Sequence, residues 1–473
     1  MTQPAARDRF VVAGGSIAGL ATSLALARAG AQVTIVEPDV IPEVNDAEEA
    51  FALNRPGVPQ SHFLHAFLAR MVKVLRERFP DVLDELLTAG ARIERPPSAE
   101  GILDEEVCLL LARRSTVEWI LRKAASAEAN IDHLAGRRVV GVGGERRSVQ
   151  RAVLDDGTTL TGSVIACTGR RGDVGAWLSP LDVAIEEQLV RSELVYITRW
   201  YQAPDFDLGA GGLLRDLGFL SYLVVPADGG TLAVAVGLPP EDAELRACLL
   251  DDRGFDRAAS MLPGLGKGLS DAGAQPLRSS QPMAGLVNRL RRFTDRGGEP
   301  LVAGFHAVGD AHTCTNPAYG RGCSLALVQA ILLADAVAAH PDDLAARSAA
   351  YEAACAVEVE PWFHSSVMMD QARAAMRKRG DGPAGTDDRE RGPAQPDLLG
   401  VLQAVASGAV TDPVVISGFA RLLHLLVTPN ELFADPVFMS RMVDLMNNPP
   451  ALPPASGRGP TREEVLRSAS AAA

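Results

Sequence analysis

One stretch constrains this chain more than any other: VVAGGSIAGLATSLALARAGAQVTIVEP, residues 11–38. A short apolar run over Phe10–Ala13 predicts a buried strand. Ile17–Ala29 then has the length and composition of a buried helix and is ended by Gly30, and Gln32–Val36 reads as a second strand. The β-α-β unit this predicts turns on Gly14-Gly15-Ser16-Ile17-Ala18-Gly19, a G-x-G-x-x-G pattern with serine at the central glycine. In such a unit the first glycine makes the tight turn and the second lets backbone approach a pyrophosphate. The third lets helix pack closely on strand, and the helix N-terminus adds its positive dipole end. Ser16 is small enough to keep most of that approach, and its hydroxyl suits a phosphate. Glu37, at the end of the second strand, suits the ribose hydroxyls of an adenosine. The plainer alternative is a glycine-rich turn that only tightens strand against helix.

A second glycine-rich stretch decides between dinucleotides. In AVGDAHTCTNPAYGRGCSLALVQAILLADAV a strand delivers Gly309-Asp310, Asn316-Pro317 fixes a loop, and Gly320-Arg321-Gly322 opens a helix. Asp310 is suited to accept from a ribityl hydroxyl, and the Gly320–Gly322 turn to present N–H groups to a flavin ring or pyrophosphate. Two such sites far apart in sequence suit the long FAD molecule rather than NAD alone.

Between them the pattern changes. A helix is expected near Ser115 with that serine as N-cap, then a β-meander turning at Gly143-Gly144 and Asp156-Gly157. LVYITRWYQ and GTLAVAVGL predict a separate sheet. The Gly-, Pro- and charge-rich stretch Lys378–Asp397 reads as a mobile connection before a helical tail. The net charge of −13 argues against a nucleic-acid partner. No run of about 18 uninterrupted apolar residues suggests a membrane span. The six cysteines show neither metal-ligand nor disulfide spacing, so no metal is expected and a reducing cytoplasm is.

At these motifs the chain resembles the flavoprotein monooxygenases of the para-hydroxybenzoate hydroxylase fold, and within them the actinobacterial polyether-epoxidase-like branch of secondary metabolism. GDAHTCTNPAYGRG is similar to that branch's G-D-A-x-x-x-x-N-P-x-Y-G-x-G. NRPGVPQSHFLHAF is similar to its R-x-G-V-P-Q-x-x-H-x-H segment, which brings Gln60 and His65 to the flavin. LARRSTVEWILR resembles the R-x-x-x-E-x-x-L-R helix whose leading arginine, here Arg114, approaches the phosphates. The resemblance covers nearly the whole chain. It implies an α/β fold: a Rossmann-like FAD-binding domain of glutathione-reductase type over residues 1–185 and 285–375, an inserted mainly β substrate domain over 186–284, and a helical segment over 396–473. The implied cofactor set is Gly14, Gly15, Ser16, Ala18, Gly19, Glu37, Gln60, His65, Arg114, Gly309, Asp310, Pro317, Gly320 and Gly322.

Three positions depart from the pattern. Thr168 precedes Gly169 where an Asp-Gly pair is associated with FAD and NAD(P)H, so the electron source is expected to be NAD(P)H or a separate flavin reductase. Phe63 replaces the first paired histidine, with His62 one residue earlier, and Arg321 stands where Gln is common. His312 is read as a proton donor near the ring or as a hydrogen-bonding spacer; Cys314 and Cys323 are read as apolar filler. The resemblance implies monooxygenation of a hydrophobic, polyketide-like intermediate, an epoxidation or hydroxylation by a flavin C4a-hydroperoxide, as in antibiotic biosynthesis. The alternatives are a non-redox cyclase of a polyene with structural FAD, a flavin-dependent double-bond reductase, and a nucleotide-stabilised binding protein.

Overall fold

The computed structural model describes residues 8–95, 101–207, 214–380, 412–448 and 459–470. Strand β1 (Arg9–Ala13), helix α1 (Ile17–Arg28) and strand β2 (Gln32–Glu37) form the expected unit. After them come α2 (Ala47–Ala52), α3 (Arg114–Ala127), β3 (Ile131–Ala135) and β4 (Ser163–Ala166). The chain then builds a second sheet from β5 (Val195–Gln202), β6 (Ser221–Ala227) and β7 (Thr231–Leu238), with α4 (Asp252–Met261) packed on it. It returns through β8 (Val287–Arg292) and β9 (Phe305–Ala307) to α5 (Gly322–Ala339), α6 (Leu344–Glu358) and α7 (Glu360–Gly380).

The first sheet is wholly parallel, in the order β9-β4-β1-β2-β3. Both its faces are buried, as parallel sheets require. Phe10 and Val12 of β1 pack with α1 and α5, whereas Val11 and Ala13 pack with an antiparallel meander over residues 139–161. Helix α5 is the one described helix long and apolar enough to cross a membrane, and most of it is core.

The second sheet is antiparallel. Alternation divides its residues: Ile197, Tyr201, Leu232, Val234 and Val236 pack against α4 and its neighbours. Thr198, Trp200, Ala233, Ala235 and Gly237 therefore face the parallel-sheet half. The chain enters this unit along Glu186–Arg191 and leaves along β8, two strands paired antiparallel. The C-terminal helices divide between the halves. Leu422, Leu432 and Phe438 join the core around α1 and α5, while Val465 and Ala469 join the core on α4.

Several local expectations need correction. Helix α3 starts at Arg114 without a serine cap; Ser115 Oγ makes no hydrogen bond. The cap comes from Asp228 of the second sheet, whose carboxylate accepts from Arg113 N (2.5 Å) and Thr116 Oγ1 (2.7 Å). The meander's first turn falls at Arg146-Arg147, with Arg147 at positive φ, because Gly143-Gly144 lies within a bulged strand. Beyond Gly380, the Lys378–Asp397 connection lies outside the described residues.

Candidate active site

The first glycine turn is dictated by sterics. Gly14 has φ +114°, and a Cβ there would stand 2.5 Å from Cys167 O. A Cβ on Gly19 would stand 1.8 Å from Gly14 O, so α1 can approach β1 only with glycine there. Gly15 N donates to Glu37 Oε2 (2.7 Å), and Asp39 N donates to Glu37 Oε1 (3.0 Å). Glu37 thus ties the turn to the end of β2.

Ser16 does not point freely toward a ligand, contrary to its sequence reading. Its hydroxyl donates to Glu118 Oε2 (2.7 Å) and accepts from Arg114 Nη2 (2.7 Å). Glu118, buried on α3, also receives Arg114 Nη1 (2.8 Å), Arg122 Nη2 (3.0 Å) and Arg55 Nη1. Arg55 in turn reaches Asp39 (2.9 Å) and Glu37 (3.3 Å). Burial lowers the Arg114 and Arg122 guanidinium pKa values to about 10.

These groups border a cavity of about 640 Å³ between α3 and the segment after β2, lined among others by Arg55, Arg114, Ser115, Glu118, Trp119 and Arg122. Ser115 Oγ and Arg55 Nη2 are buried at this wall without a hydrogen bond; the contact of Arg55 Nη2 with Glu37 is an ion pair outside hydrogen-bond geometry.

The second glycine turn meets the first directly. Gly309 has φ +65°, and a Cβ there would lie 3.1 Å from Ala18 Cβ. Its N–H donates to the buried Gln329 Oε1 (2.7 Å). Asp310 sits half-buried beside Gly322, where an added Cβ would lie 3.8 Å from Asp310 Oδ1. Burial raises its carboxyl pKa, opposed by Arg170, Arg289 and Arg114. The Gly169–Arg171 turn packs on this one, and Thr168 Oγ1, just before it, is buried without a hydrogen-bond partner.

The loop to Gly320 is braced from behind. Asn316 caps the turn at Pro317 by accepting from Ala318 N (3.0 Å). Asp370 on α7 accepts from Asn316 Nδ2 (2.7 Å), Tyr319 OH (2.7 Å) and Asn288 Nδ2 (2.8 Å). Gly320, at φ +65°, passes the backbone of the histidine segment, where an added Cβ would be 3.0 Å from Ala66 O. Arg321 turns into the interior and donates to Trp362 O (3.2 Å) and Ser366 Oγ (2.7 Å), between the rings of Tyr319 and Trp362.

The remaining sequence candidates scatter. His65 Nδ1 donates to Phe63 O (2.9 Å); burial, and then Arg114, lowers its pKa to about 3, so the ring is neutral. The Gln60 carbonyl closes a turn with Phe63 N (3.2 Å). His62 belongs to the contact between the two halves: its Nε2 meets Phe51 O (2.9 Å), and its carbonyl accepts from Trp200 Nε1 (2.6 Å). His312 is fully buried with Nδ1 on Thr313 Oγ1 (2.7 Å) and Nε2 on Glu352 of α6 (3.3 Å). Both ring nitrogens are engaged on the α6 side, which fits the spacer reading rather than proton donation.

Sequence reading passed over Arg55, Glu118, Arg122 and Asp370. Arg114, Glu118 and Arg122 recur every four residues along one helical face, a signal that was available. The two glycine turns, the three arginines at the cavity and the Ser115 Oγ without a hydrogen bond together fit an extended dinucleotide with its diphosphate among the arginines.

No family model matches the chain. It is 26% identical over 368 residues to Protein Rv3254 of Mycobacterium tuberculosis, a match covering 68% of this chain and 72% of that one. Among solved structures it is similar to the flavin-dependent brominase Bmp2, with TM-score 0.64, 15% identity, and 93% of this chain and 99% of that one covered. It is similar to p-nitrophenol 4-monooxygenase PnpA from Pseudomonas putida DLL-E4, with TM-score 0.60, 19% identity, and 89% and 98% covered. A third similarity is to the Diels-Alderase PyrE3 of pyrroindomycin biosynthesis, with TM-score 0.59, 16% identity, and 88% and 80% covered. The chain therefore has the fold of these proteins, an α/β half built on a parallel sheet, carrying an inserted antiparallel sheet and C-terminal helices.

Proposed function

We propose that the chain is an enzyme, an FAD-dependent monooxygenase that epoxidises or hydroxylates a hydrophobic small molecule, of the polyketide-like kind met in antibiotic biosynthesis. The observation that carries this reading is the contact of the two glycine turns through Ala18 and Gly309, beside a cavity rimmed by Arg55, Arg114 and Arg122. The arginines and the Gly14–Gly19 turn would hold the diphosphate, Glu37 the ribose, and Asp310 with the Gly320–Gly322 turn the ribityl and ring end. FAD, when bound, supplies the oxygen-activating chemistry.

The chain's own part is binding, orientation and dryness. The second sheet turns Thr198, Ala233, Ala235 and Gly237 toward the cofactor half, and such small side chains leave room for an apolar substrate. Phe51, held edge-on to Trp200 at 5.2 Å, closes that contact against water. His312 receives no catalytic role in this reading. The likeness to the polyether-epoxidase-like branch, at Gly320-Arg321-Gly322 and Gln60–His65, supports epoxidation over hydroxylation. A cytoplasmic setting is supported by six cysteines that are all free.

A second reading is a non-redox cyclase with structural FAD. Thr168, whose hydroxyl has no partner, and the fold shared with a Diels-Alderase favour it. Flavin-dependent double-bond reduction is a third.

Anaerobic titration of the purified chain with NADPH, then NADH, tests the proposal through the flavin absorbance band. Bleaching within seconds is the result for a self-sufficient monooxygenase or reductase, and product formation on admitting oxygen selects the monooxygenase. A band that stays oxidised points to a separate flavin reductase or, if substrate still turns over without reductant, to the cyclase. Absence of any flavin from the purified and reconstituted protein would sink the reading.

A further inference from the structure

Resting on the FAD reading, we propose that Glu118 is an internal stand-in for the cofactor's diphosphate: it occupies the donors that the diphosphate needs, and the incoming anion must displace it from them. Four donors converge on this one carboxylate: the Ser16 hydroxyl and the guanidiniums of Arg55, Arg114 and Arg122. These come from the glycine turn, the segment after β2, and the first and third turns of α3. The three guanidiniums and Glu118 itself line the 640 Å³ cavity, and the Ser16 hydroxyl joins them to the Gly14–Gly19 turn through Arg114 and Glu118.

The charge balance explains why such a group is needed. Arg55, Arg114 and Arg122 face Glu37, Asp39 and Glu118, three cations against three anions, in a site where Arg55, Arg114 and Glu118 are all more than nine-tenths buried. Without Glu118 the site would hold an uncompensated buried cation, which is strongly unfavourable. With Glu118 the charges balance within the chain itself, and a diphosphate entering the site meets a carboxylate of its own sign. Binding must therefore replace Glu118 at Ser16 and at one or more arginines. Glu37 cannot act in the same way, because both its oxygens are committed to the backbone of Gly15 and Asp39. The Oγ of Ser115, at the cavity wall without a hydrogen bond, remains as a further contact for the anion. The consequence is a cofactor that is held less tightly than the arginines alone would hold it, in a chain that stays folded without it.

The test is calorimetric titration of the full chain, freed of nucleotide, with inorganic pyrophosphate and with ADP at low salt. Glu118→Gln keeps the side-chain shape and removes the charge. It is expected to bind pyrophosphate roughly tenfold or more tightly than the unaltered chain, the order set by removing one like charge at close range. The gain should shrink as salt is added. Glu352→Gln, a neutralised buried carboxylate on α6 outside this site, should bind pyrophosphate as the unaltered chain does. If Glu118→Gln fails to fold, Glu118→Asp carries the test, since its shorter carboxylate cannot span Ser16 and all three guanidiniums; a gain of a fewfold is then expected. Equal or weaker binding by the variant that folds overturns the proposal and makes Glu118 a group that merely orients the arginines. If neither the unaltered chain nor any variant binds pyrophosphate or ADP, the cofactor reading fails, and this inference with it.

Discussion

The Gly14–Gly19 turn is surrounded by paired charge, whereas the Gly309–Gly322 turn is braced by neutral groups, one carboxylate hub and an arginine without a carboxylate partner. Around the first, three guanidiniums and three carboxylates neutralise one another, and the guanidiniums and Glu118 line a cavity. Behind the second, Asp370 gathers Asn288, Asn316 and Tyr319, and Arg321 rests between Tyr319 and Trp362. The difference suits the two ends of the proposed ligand. A diphosphate needs mobile countercharge, while a ring needs a backbone edge held at a fixed place. Substitutions in the two turns should therefore fail in different ways.

The largest effect is expected at Gly19→Ala. The new methyl would meet Gly14 O at 1.8 Å and Gly14 C at 2.9 Å, backbone atoms that cannot turn aside, with Val12 Cγ1 at 3.3 Å beside them. A loss of more than about 3 kcal/mol in stability is expected from this overpacking. Denaturant unfolding and the flavin content of the purified variant read it; near-normal stability would mean that α1 can slide along β1 and that the glycine is not a steric requirement.

Asp370→Ala should come next and should separate the two turns. It strands the Asn288 amide and the Tyr319 hydroxyl, while Asn316 Nδ2 keeps Ser192 Oγ (2.8 Å), costing about 2 kcal/mol in all. Because Asp370 touches nothing around Ser16, the variant should still bind ADP while flavin-ring fluorescence rises toward that of free flavin. Loss of ADP binding in parallel would show that the turns act as one unit and would erase the contrast.

That contrast also separates what sequence shows from what it hides. The Gly14–Gly19 turn was legible because its demand is local: glycine must lie where neighbouring backbone closes in. Gly309, Asp310 and Gly322 were legible by the same logic. The partners were not. Ser16 meets Glu118 from 102 residues away, Arg55 from 63, and the cap of α3 comes from Asp228, 115 residues beyond Arg113. No spacing in the chain records such closures. His312 shows the converse limit, since proximity to Asp310 in sequence says nothing of which face its ring takes. The ring lies with Glu352 and Thr313, on the side where α6 packs.

Asp310→Asn offers a smaller and pH-dependent effect. Burial, opposed by Arg170, Arg289 and Arg114, holds this carboxyl above its ordinary range. The folded chain therefore binds that proton better than the unfolded chain. Its stabilising contribution is complete below the unfolded pKa and is lost as pH rises through the folded one. At neutral pH the flavin-free Asn variant should thus be more stable, by roughly 1 kcal/mol, with the gain vanishing in acid. It should bind FAD less well if Asp310 accepts from the ribityl chain. Thermal unfolding across pH 3–7 with and without FAD measures both signs, and a variant that is less stable at neutral pH would show that the ionised carboxylate is favoured by the three arginines after all.

Arg321→Met should have the smallest effect of all, although Arg321 is 1% exposed. Its guanidinium donates only to neutral acceptors (the Trp362 carbonyl, two serine hydroxyls and the Met369 sulfur), and burial lowers its pKa to about 10. Replacing it by an apolar side chain of similar length removes the cost of burying a charge as well as the contacts. The two should cancel to within about 1 kcal/mol. Arg321→Ala, which leaves a void between Tyr319 and Trp362, should cost about 2 kcal/mol or more. If Met were as damaging as Ala, the guanidinium itself would be what fixes the turn, and the second glycine site would depend on charge as the first does.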